Sequence, residues 1–217
     1  MNSETDSYTV LDPRPLAAVA RYTFFLPSHI EIAAVEKDDL VKLMFEYTHR
    51  TEAWQVERMW VTVDQVEDEN LQGVLENQPF EKTSKLKVGA RICFKRYDIL
   101  SIQWANPKSA PRPPEYREYW ERCLVDESVV EGSEPVEYIY REEPDMQQDG
   151  DKYPDSGWRI RGRMGSMADE ELEARKPQYV AVGVVLNKDD SWVSLIDSPV
   201  GSRFMRDFNK NTFNLEQ

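Results

Sequence analysis

The sequence contains only two histidines and two cysteines among its 217 residues. His29 and His49, the usual residue type for a general base, both lie in the first quarter of the chain. No C-x-x-C or H-x-x-x-H spacing occurs, so we expect neither a metal site nor a cofactor. Cys93 and Cys123 are expected to be free thiols, as is usual in a reducing compartment. The scarcity of these residues points away from metal, thiol and histidine chemistry, and we expect no catalytic residues.

Long apolar runs are also missing. No run approaches the roughly 18 residues that cross a bilayer, and the first segment, MNSETDSYTV, lacks the basic and then apolar pattern of a signal peptide. We therefore expect a cytoplasmic protein with no membrane partner. The net charge of −13 disfavours direct binding to nucleic acid, because like charges repel, and favours a basic protein partner.

The acidic residues are concentrated in one region. From Glu115 to Asp155 there are fourteen Asp or Glu residues and four Lys or Arg residues. The stretch NPKSAPRPPE, residues 106–115, precedes this region, and its prolines disfavour both helix and sheet. We predict a β-rich domain over residues 1–105, a proline-rich linker over 106–114 and an α+β domain over 115–217.

The first domain has strong strand signals and one helix signal. Short segments rich in β-branched, aromatic and aliphatic residues predict four strands: DLVKLMFEY, VERMWVTV, the weaker LQGVLEN, and ARICFKRY. In PSHIEIAAVE, Ser28 and Glu31 have the spacing of a capping box, which predicts a short helix.

The second domain alternates between helix and strand signals. In PPEYREYWERCLVDE the apolar and aromatic residues from Tyr116 to Leu124 follow a helical period, so a helix is predicted after Pro114. PVEYIYRE and GWRIRGRM predict strands, and ADEELEARK predicts a short helix. YVAVGVVLN and SWVSLID are predicted to form a hairpin through KDD. The predicted fold class is α+β, with two small domains, each a bent, mainly antiparallel sheet with one or two short helices.

The run IDSPVGS raises the question of a nucleophilic serine. A nucleophile elbow has the form G-x-S-x-G, and Pro199 after Ser198 removes a backbone N–H that an oxyanion hole often uses. Asp197, Ser198, Pro199 and Gly201 instead suit a rigid turn at the end of a strand. We predict that turn, with a binding role as the alternative.

Three arginines alternate along GWRIRGRM. Arg159, Arg161 and Arg163 fall on one face of the predicted strand. We expect them to pair with the local acids, the alternative being that they bind a phosphate or a carboxylate of a partner.

Two parts of the chain resemble known bacterial domains. DSGWRIRG and VLNKDDSWVSLIDSPVGSRFMRD, within residues 152–214, resemble immunity-protein family 33 of polymorphic toxin systems. The first-domain strand segments, within residues 28–104, resemble an uncharacterised YegJ-like domain. That family tends to have a glycine before its first strand, where this chain has Asp38 and Asp39. Asp tolerates turn conformations, so we expect the fold to persist.

The first resemblance implies an immunity protein that binds and neutralises a cognate toxin encoded by a neighbouring gene. A type VI effector is a plausible toxin, and a nuclease suits the charge best. We expect a monomer, although the sequence leaves the oligomeric state open. Two alternatives stay open: an enzyme that uses carboxylates in a cleft, and a stress-related scaffold with several partners. The predicted partner-binding residues are acids and aromatic anchors of the second domain: Glu131, Glu134, Glu137, Tyr138, Tyr140, Glu142, Glu143, Asp145, Asp149, Asp151 and Trp192.

Overall fold

The structure, a computed structural model, describes residues 8–146, 149–165 and 174–216. The chain divides into two compact units, Met1–Val19 with Phe24–Tyr116, and Ala20–Thr23 with Arg117–Gln217. Each unit has its own sheet and its own cluster of buried apolar side chains. The predicted α+β class, with two mainly antiparallel sheets and short helices, is confirmed. No helix in the described ranges is long and apolar enough to cross a membrane.

The first unit is built on an antiparallel sheet. Its strands are β1 (Tyr8–Val10), β2 (Leu40–Tyr47), β3 (Val56–Glu67), β4 (Asn70–Leu75), β5 (Arg91–Lys95) and β6 (Ser101–Gln103). The order is β1-β2-β3-β4-β5, and β6 pairs with the first half of β2. Val41, Leu43 and Phe45 alternate along β2 and are fully buried, as the period of a strand requires. The four predicted strands are confirmed, while β1 and β6 are too short to give a clear sequence signal.

Two short helices accompany this sheet, α1 (Arg14–Val19) and α2 (His29–Ala33). The capping box predicted for α2 is present. The Ser28 hydroxyl accepts a hydrogen bond from the Glu31 amide at 3.3 Å, and the Glu31 carboxylate accepts one from the Ser28 amide at 2.8 Å. Two backbone N–H groups that a helix start leaves unpaired are thereby satisfied.

The Asp38–Asp39 pair forms the turn before β2. Asp38 has a φ of +73°, a left-handed conformation that glycine adopts without strain and that Asp tolerates better than most residues. The Asp39 carboxylate is buried and accepts hydrogen bonds from the amides of Glu36 and Ala105, each at 2.9 Å. The two aspartates therefore form the turn before β2 without a glycine.

The second unit has a mixed sheet. Its strands are β7 (Arg122–Asp126), β8 (Val136–Arg141), β9 (Asp155–Gly162), β10 (Pro177–Ala181), β11 (Arg203–Asp207) and β12 (Thr212–Leu215). Their order is β10-β7-β9-β8-β11-β12, in which β7 and β9 are parallel and the other neighbours antiparallel. The helices α3 (Glu127–Glu131) and α4 (Val182–Leu186) pack with the core that contains Trp158 and Trp192. The strands predicted from PVEYIYRE and GWRIRGRM are confirmed as β8 and β9.

The helix predicted after Pro114 is wrong. Residues 111–120 have no regular structure, and Cys123 and Val125 alternate into the core as part of β7. The strand β7 pairs with β9 on one side and β10 on the other, and these pairings override the helical period of the sequence. A helix does form, but only over Glu127–Glu131, where the Asp126 backbone begins it and Gly132 ends it at a φ of +78°.

The hairpin predicted around KDD is also wrong. YVAVGVVLN is a strand only as far as Ala181 and continues as α4, which buries Val182, Val185 and Leu186 at helical spacing. SWVSLID contains a 3-10 helix over Val193–Leu195 in place of a strand. Short apolar runs suit a buried strand and a buried helical turn equally well, so the sequence could not separate them. The helix predicted from ADEELEARK falls mainly on residues 168–173, outside the described residues.

Candidate functional site

A concave surface of the second unit lies on the face of its sheet opposite the core. In β8, Ile139 is buried in the core while Tyr138 and Tyr140 point to the other face and stay partly exposed. The strand register places Arg161 beside Tyr138 and Arg203 beside Tyr140. These four side chains line a groove of about 640 Å³, together with Met164 and Val200 among others. The groove is thus a product of strand alternation on three neighbouring strands.

A buried carboxylate organises the floor of the groove. Asp126 is 1% exposed and accepts hydrogen bonds from Arg161 at 2.9 Å, from Arg175 at 2.7 Å and from the Gly162 amide at 3.0 Å. Arg175 also forms an ion pair with Glu134 at 3.0 Å. One carboxylate therefore holds two guanidinium groups in place and leaves the Arg161 side chain 39% exposed to the groove.

Arg203 differs from these arginines because it is exposed at the groove and makes no side-chain ion pair or hydrogen bond within the described part of the chain. The rings of Tyr138 and Tyr140 lie beside it and contact each other, with centroids 5.5 Å apart. Because both tyrosines are on a strand that pairs on both sides, their positions are fixed before any partner arrives.

One buried arginine, Arg159, holds the acidic loop, which is the segment after β8 with Glu142, Glu143 and Asp145. The Arg159 side chain is 4% exposed and donates to both carboxylate oxygens of Asp155, at 3.0 and 3.1 Å. It also pairs with Glu142 at 3.1 Å and with Asp145 at 2.7 Å. Burial alone would raise the pKa of Asp155, but hydrogen bonds from Arg159 and from the amides of Gly157 and Met146 outweigh it, so that pKa lies below its usual range.

The predicted pairing of the arginine stripe with local acids is confirmed for Arg159 and Arg161. Arg163 lies beyond the end of β9, and its guanidinium stacks on the Phe208 ring with 5.0 Å to the centroid. Gly157 lets β9 pass close to the acidic loop. It has a φ of +79°, and a Cβ there would lie 2.1 Å from the Glu142 carbonyl oxygen.

The predicted partner-binding acids do not form one surface patch. Glu142 and Glu143 line the groove, but Glu142 and Asp145 are paired with Arg159, and Glu134 is paired with Arg175. Glu137 accepts a hydrogen bond from the Met164 amide. Glu131 and Asp149 are exposed and Asp151 is partly exposed, and none of the three lines the groove. Several of these acids therefore stabilise the unit itself.

Trp192 is not a surface anchor, contrary to the prediction. Its side chain is 0% exposed and contacts Trp158 edge to face, with ring centroids 5.6 Å apart. The Trp158 indole N–H donates to the Ile196 carbonyl at 3.2 Å, while the buried indole N–H of Trp192 has no hydrogen-bond partner in the described ranges. Burial of large apolar area explains why this conspicuous residue belongs to the core.

The run IDSPVGS forms the predicted turn, although a 3-10 helix precedes it where a strand was expected. The Ser198 amide donates to the Leu195 carbonyl at 2.9 Å, and Arg141 donates to the Ser198 carbonyl at 2.7 Å. Gly201 has a φ of +91°, as the turn requires. Asp197 is exposed and forms an ion pair with Arg117. This turn brings Val200 and Gly201 to the wall of the groove.

The two histidines and the perturbed carboxyl of Asp98 belong to the first unit. His29 is in α2, and His49 Nε2 lies 2.9 Å from the Thr83 hydroxyl, both in the first unit. Burial raises the pKa of Asp98, also in the first unit, where its carboxylate accepts a hydrogen bond from the Lys95 amide. Among the residues that the structure describes, no group of three or more His, Cys, Asp or Glu is placed to hold a metal ion.

The site contains residues that the sequence did not identify as one surface. Asp126, Met164, Arg175 and the pair Val200 and Arg203 come from four separate parts of the chain, and no spacing in the sequence links these parts. Only the alternation of apolar and polar residues in VEYIYRE and RFMRD indicates that Tyr138, Tyr140 and Arg203 point away from the core. An open sheet face of this kind, with tyrosines and arginines on fixed strands, is typical of a protein-binding module.

Comparisons with known families agree with this class. Residues 123–216 match the family model described as Immunity protein Imm33 domain. Residues 21–108 match a second model, described as Uncharacterized protein conserved in bacteria (DUF2314). No curated protein and no solved structure matches the chain. The resemblance of the second domain to immunity proteins is confirmed, while the YegJ-like description of the first stays a prediction.

Proposed function

We propose that this chain is an immunity protein that neutralises a cognate bacterial toxin by binding it through the groove of the second unit. The similarity of residues 123–216 to the Imm33 domain supports the class of function. The observation that carries the choice of surface is the groove itself, which is lined by Tyr138, Tyr140, Arg161 and Arg203 on paired strands. Arg161 is partly exposed there, and Arg203 is exposed with no side-chain partner among the described residues. Aromatic and arginine side chains contribute most of the affinity in many protein interfaces.

The cellular setting belongs to the same proposal. The chain acts in the cytoplasm on a toxin that is encoded by the neighbouring gene and delivered by a contact-dependent system such as type VI. The net charge of −13 favours a cationic toxin such as a nuclease, because complementary charge speeds association and disfavours wrong partners. Neutralisation needs no catalysis by the chain: a stoichiometric complex covers the toxin's active site or holds the toxin in an inactive form.

The test begins with the tagged full-length chain as bait in its own cells, followed by co-expression of the recovered partner. We expect one stoichiometric partner that is toxic when expressed alone and harmless together with the chain. Tyr140→Ala should weaken that complex about tenfold or more, because it removes a partly exposed aromatic side chain that the partner would cover. Tyr116→Ala is the matched control, since Tyr116 is an exposed tyrosine of the first unit. Failure to recover a toxic partner would contradict the proposal.

A second candidate function is a scaffold for several cellular proteins, and one observation in the first unit favours it. Trp54 and Phe80 are 57% and 68% exposed. The buried Glu81 carboxylate, next to Phe80, accepts hydrogen bonds from the amides of Ala53 and Trp54 at 2.9 and 3.2 Å, so the two aromatic residues are held on one framework. Recovery of several weak partners that depend on Trp54, and of no toxin, would favour the scaffold.

A further inference from the structure

Two guanidinium groups at the groove retain hydrogen-bonding capacity. An arginine offers five N–H donors. Arg161 directs one nitrogen to Asp126 and stays partly exposed, and Arg203 is exposed with no side-chain partner among the described residues. The two lie on either side of β8, beside Tyr138 and Tyr140.

The other two arginines that line the groove have N–H donors engaged within the unit. Arg141 donates to the backbone carbonyls of Ser156 and Ser198, at 3.0 and 2.7 Å. Arg175 is held between Asp126 and Glu134. These contacts leave Arg161 and Arg203 as the arginines through which the groove can recognise a charged partner.

The acids at the groove do not cancel this capacity. Asp126 is 1% exposed and already accepts three hydrogen bonds, and Glu142 is paired with the buried Arg159. Glu143 is the remaining carboxylate of the lining, and it is exposed without a partner in the structure as described. Locally, the groove therefore presents donors for an anion although the whole chain is acidic.

We propose that the groove binds a toxin segment through a carboxylate set between Arg161 and Arg203, with an adjoining apolar or aromatic side chain against Tyr138, Tyr140, Met164 and Val200. The inference rests on the proposed immunity function and names the chemistry of the bound segment. A planar carboxylate matches the fork of a guanidinium and forms charge-assisted hydrogen bonds. A toxin that is cationic overall still supplies this group from a single Asp, Glu or chain terminus.

Three N-acetylated pentapeptides test the recognition directly on the full-length chain. The first is acetyl-Gly-Phe-Glu-Phe-Gly-amide, the second has Gln in place of Glu, and the third has Gln and a free C-terminal carboxylate. Binding is followed by the arginine Nε–H resonances in ¹⁵N-resolved spectra. We expect one of the carboxylate peptides to bind about tenfold more tightly than the neutral one, which identifies the source as side chain or terminus. Equal affinity for all three peptides, or no binding, would overturn the inference.

Variants then assign the contact. Arg203→Gln should remove the preference for the carboxylate peptide without loss of fold, because Arg203 has no side-chain partner in the described structure to lose. Arg117→Gln, at an exposed arginine of the same unit outside the groove lining, should leave the preference unchanged. Glu143→Gln should strengthen binding of the carboxylate peptide a few-fold by removing a like charge. Weaker binding of the carboxylate peptide to that variant would show that Glu143 favours the contact instead of opposing it, and would reject the proposal.

The toxin itself separates this inference from the proposed function. If Arg203→Gln weakens the toxin complex about tenfold and Arg117→Gln leaves it unchanged, both stand. If the toxin binds Arg203→Gln as tightly as the parent chain, the immunity function stands and the carboxylate contact is rejected. If no toxin partner exists, the function fails, and the peptide result alone decides whether the groove recognises carboxylates.

Discussion

Replacement of Asp155 by alanine should unfold the acidic loop from the second sheet. The Asp155 side chain is fully buried and lies at the centre of the cluster that holds Arg159. It receives two hydrogen bonds from that guanidinium and one each from the amides of Asp145, Met146 and Gly157. Asp155→Ala therefore leaves a buried cation without its main counter-charge and three amides without their acceptor.

The size of the effect follows from burial. Removal of one partner from a buried ion pair costs about 3–5 kcal/mol. The exposed partners of the same arginine should matter far less: Glu142 is 51% exposed and Asp145 is 71% exposed, and exposed pairs contribute about 1 kcal/mol or less. Glu142→Gln is thus a matched control, because it removes one charge that pairs with the same arginine but is exposed to solvent.

Hydrogen exchange of the β9 amides measures this loss of unfolding free energy in the second unit alone. Unfolding of the first unit does not contribute to the signal of these amides. A loss of about 3 kcal/mol accelerates exchange by roughly a hundredfold, while the control should change it less than about tenfold. Equal acceleration in Asp155→Ala and Glu142→Gln would refute the view that a buried ion pair, and not the sum of exposed contacts, holds the loop.

Three further predictions follow from backbone and charge. Gly157→Ala should prevent stable folding of the second unit, because the new Cβ would lie 2.1 Å from a carbonyl oxygen. The control Gly201→Ala has open space around the new Cβ and should cost only about 1 kcal/mol, from left-handed backbone strain. Similar urea midpoints of unfolding for the two variants would contradict this. Asp38→Gly should stabilise the first unit by about 0.5 kcal/mol in thermal unfolding, because the φ of +73° at this position strains Asp but not glycine. A loss of stability would show that contacts of the Asp38 side chain contribute more than the backbone strain costs. Asp155 and the partly buried Asp189 both have pKa values below the usual range in the folded state, so their contribution to stability is present above about pH 4 and is lost as the pH falls through those lowered values. Below pH 4 the unfolding midpoint should therefore fall faster in the parent chain than in Asp155→Ala, and equal slopes would contradict this assignment.

The structure also changes how the predicted acidic surface should be tested. Reversal of charge at Glu142, Glu143 and Asp145 together would place cations beside the buried Arg159, because two of the three acids are its partners. If the triple variant no longer bound the toxin, displacement of the acidic loop could not be separated from loss of a direct contact with the toxin. Glu143 alone is the clean probe, since it is exposed at the groove and pairs with nothing in the described ranges.

The sequence by itself determined the features that depend on local pattern. Alternation of apolar and polar residues in the sequence was enough to predict β2, β8 and β9, because successive side chains of a strand point to opposite faces of the sheet. The capping box at Ser28 and the turn at Asp197–Gly201 depend on residues that are adjacent in the chain. The resemblance to immunity proteins also depends on two segments, DSGWRIRG and VLNKDDSWVSLIDSPVGSRFMRD, each of which is continuous in the chain.

Only the tertiary structure decided the features that depend on distant partners. Residues 122–126 carry a helical period but pair as a strand between two others, and Trp192 is conspicuous in sequence but packs on Trp158. The groove assembles Arg161, Arg203 and the tyrosines from three strands. The fold decides whether a charged side chain faces solvent or a buried counter-charge. Arg159 is an example, because its partners lie in the acidic loop and in β9, and only the folded chain places these two segments side by side.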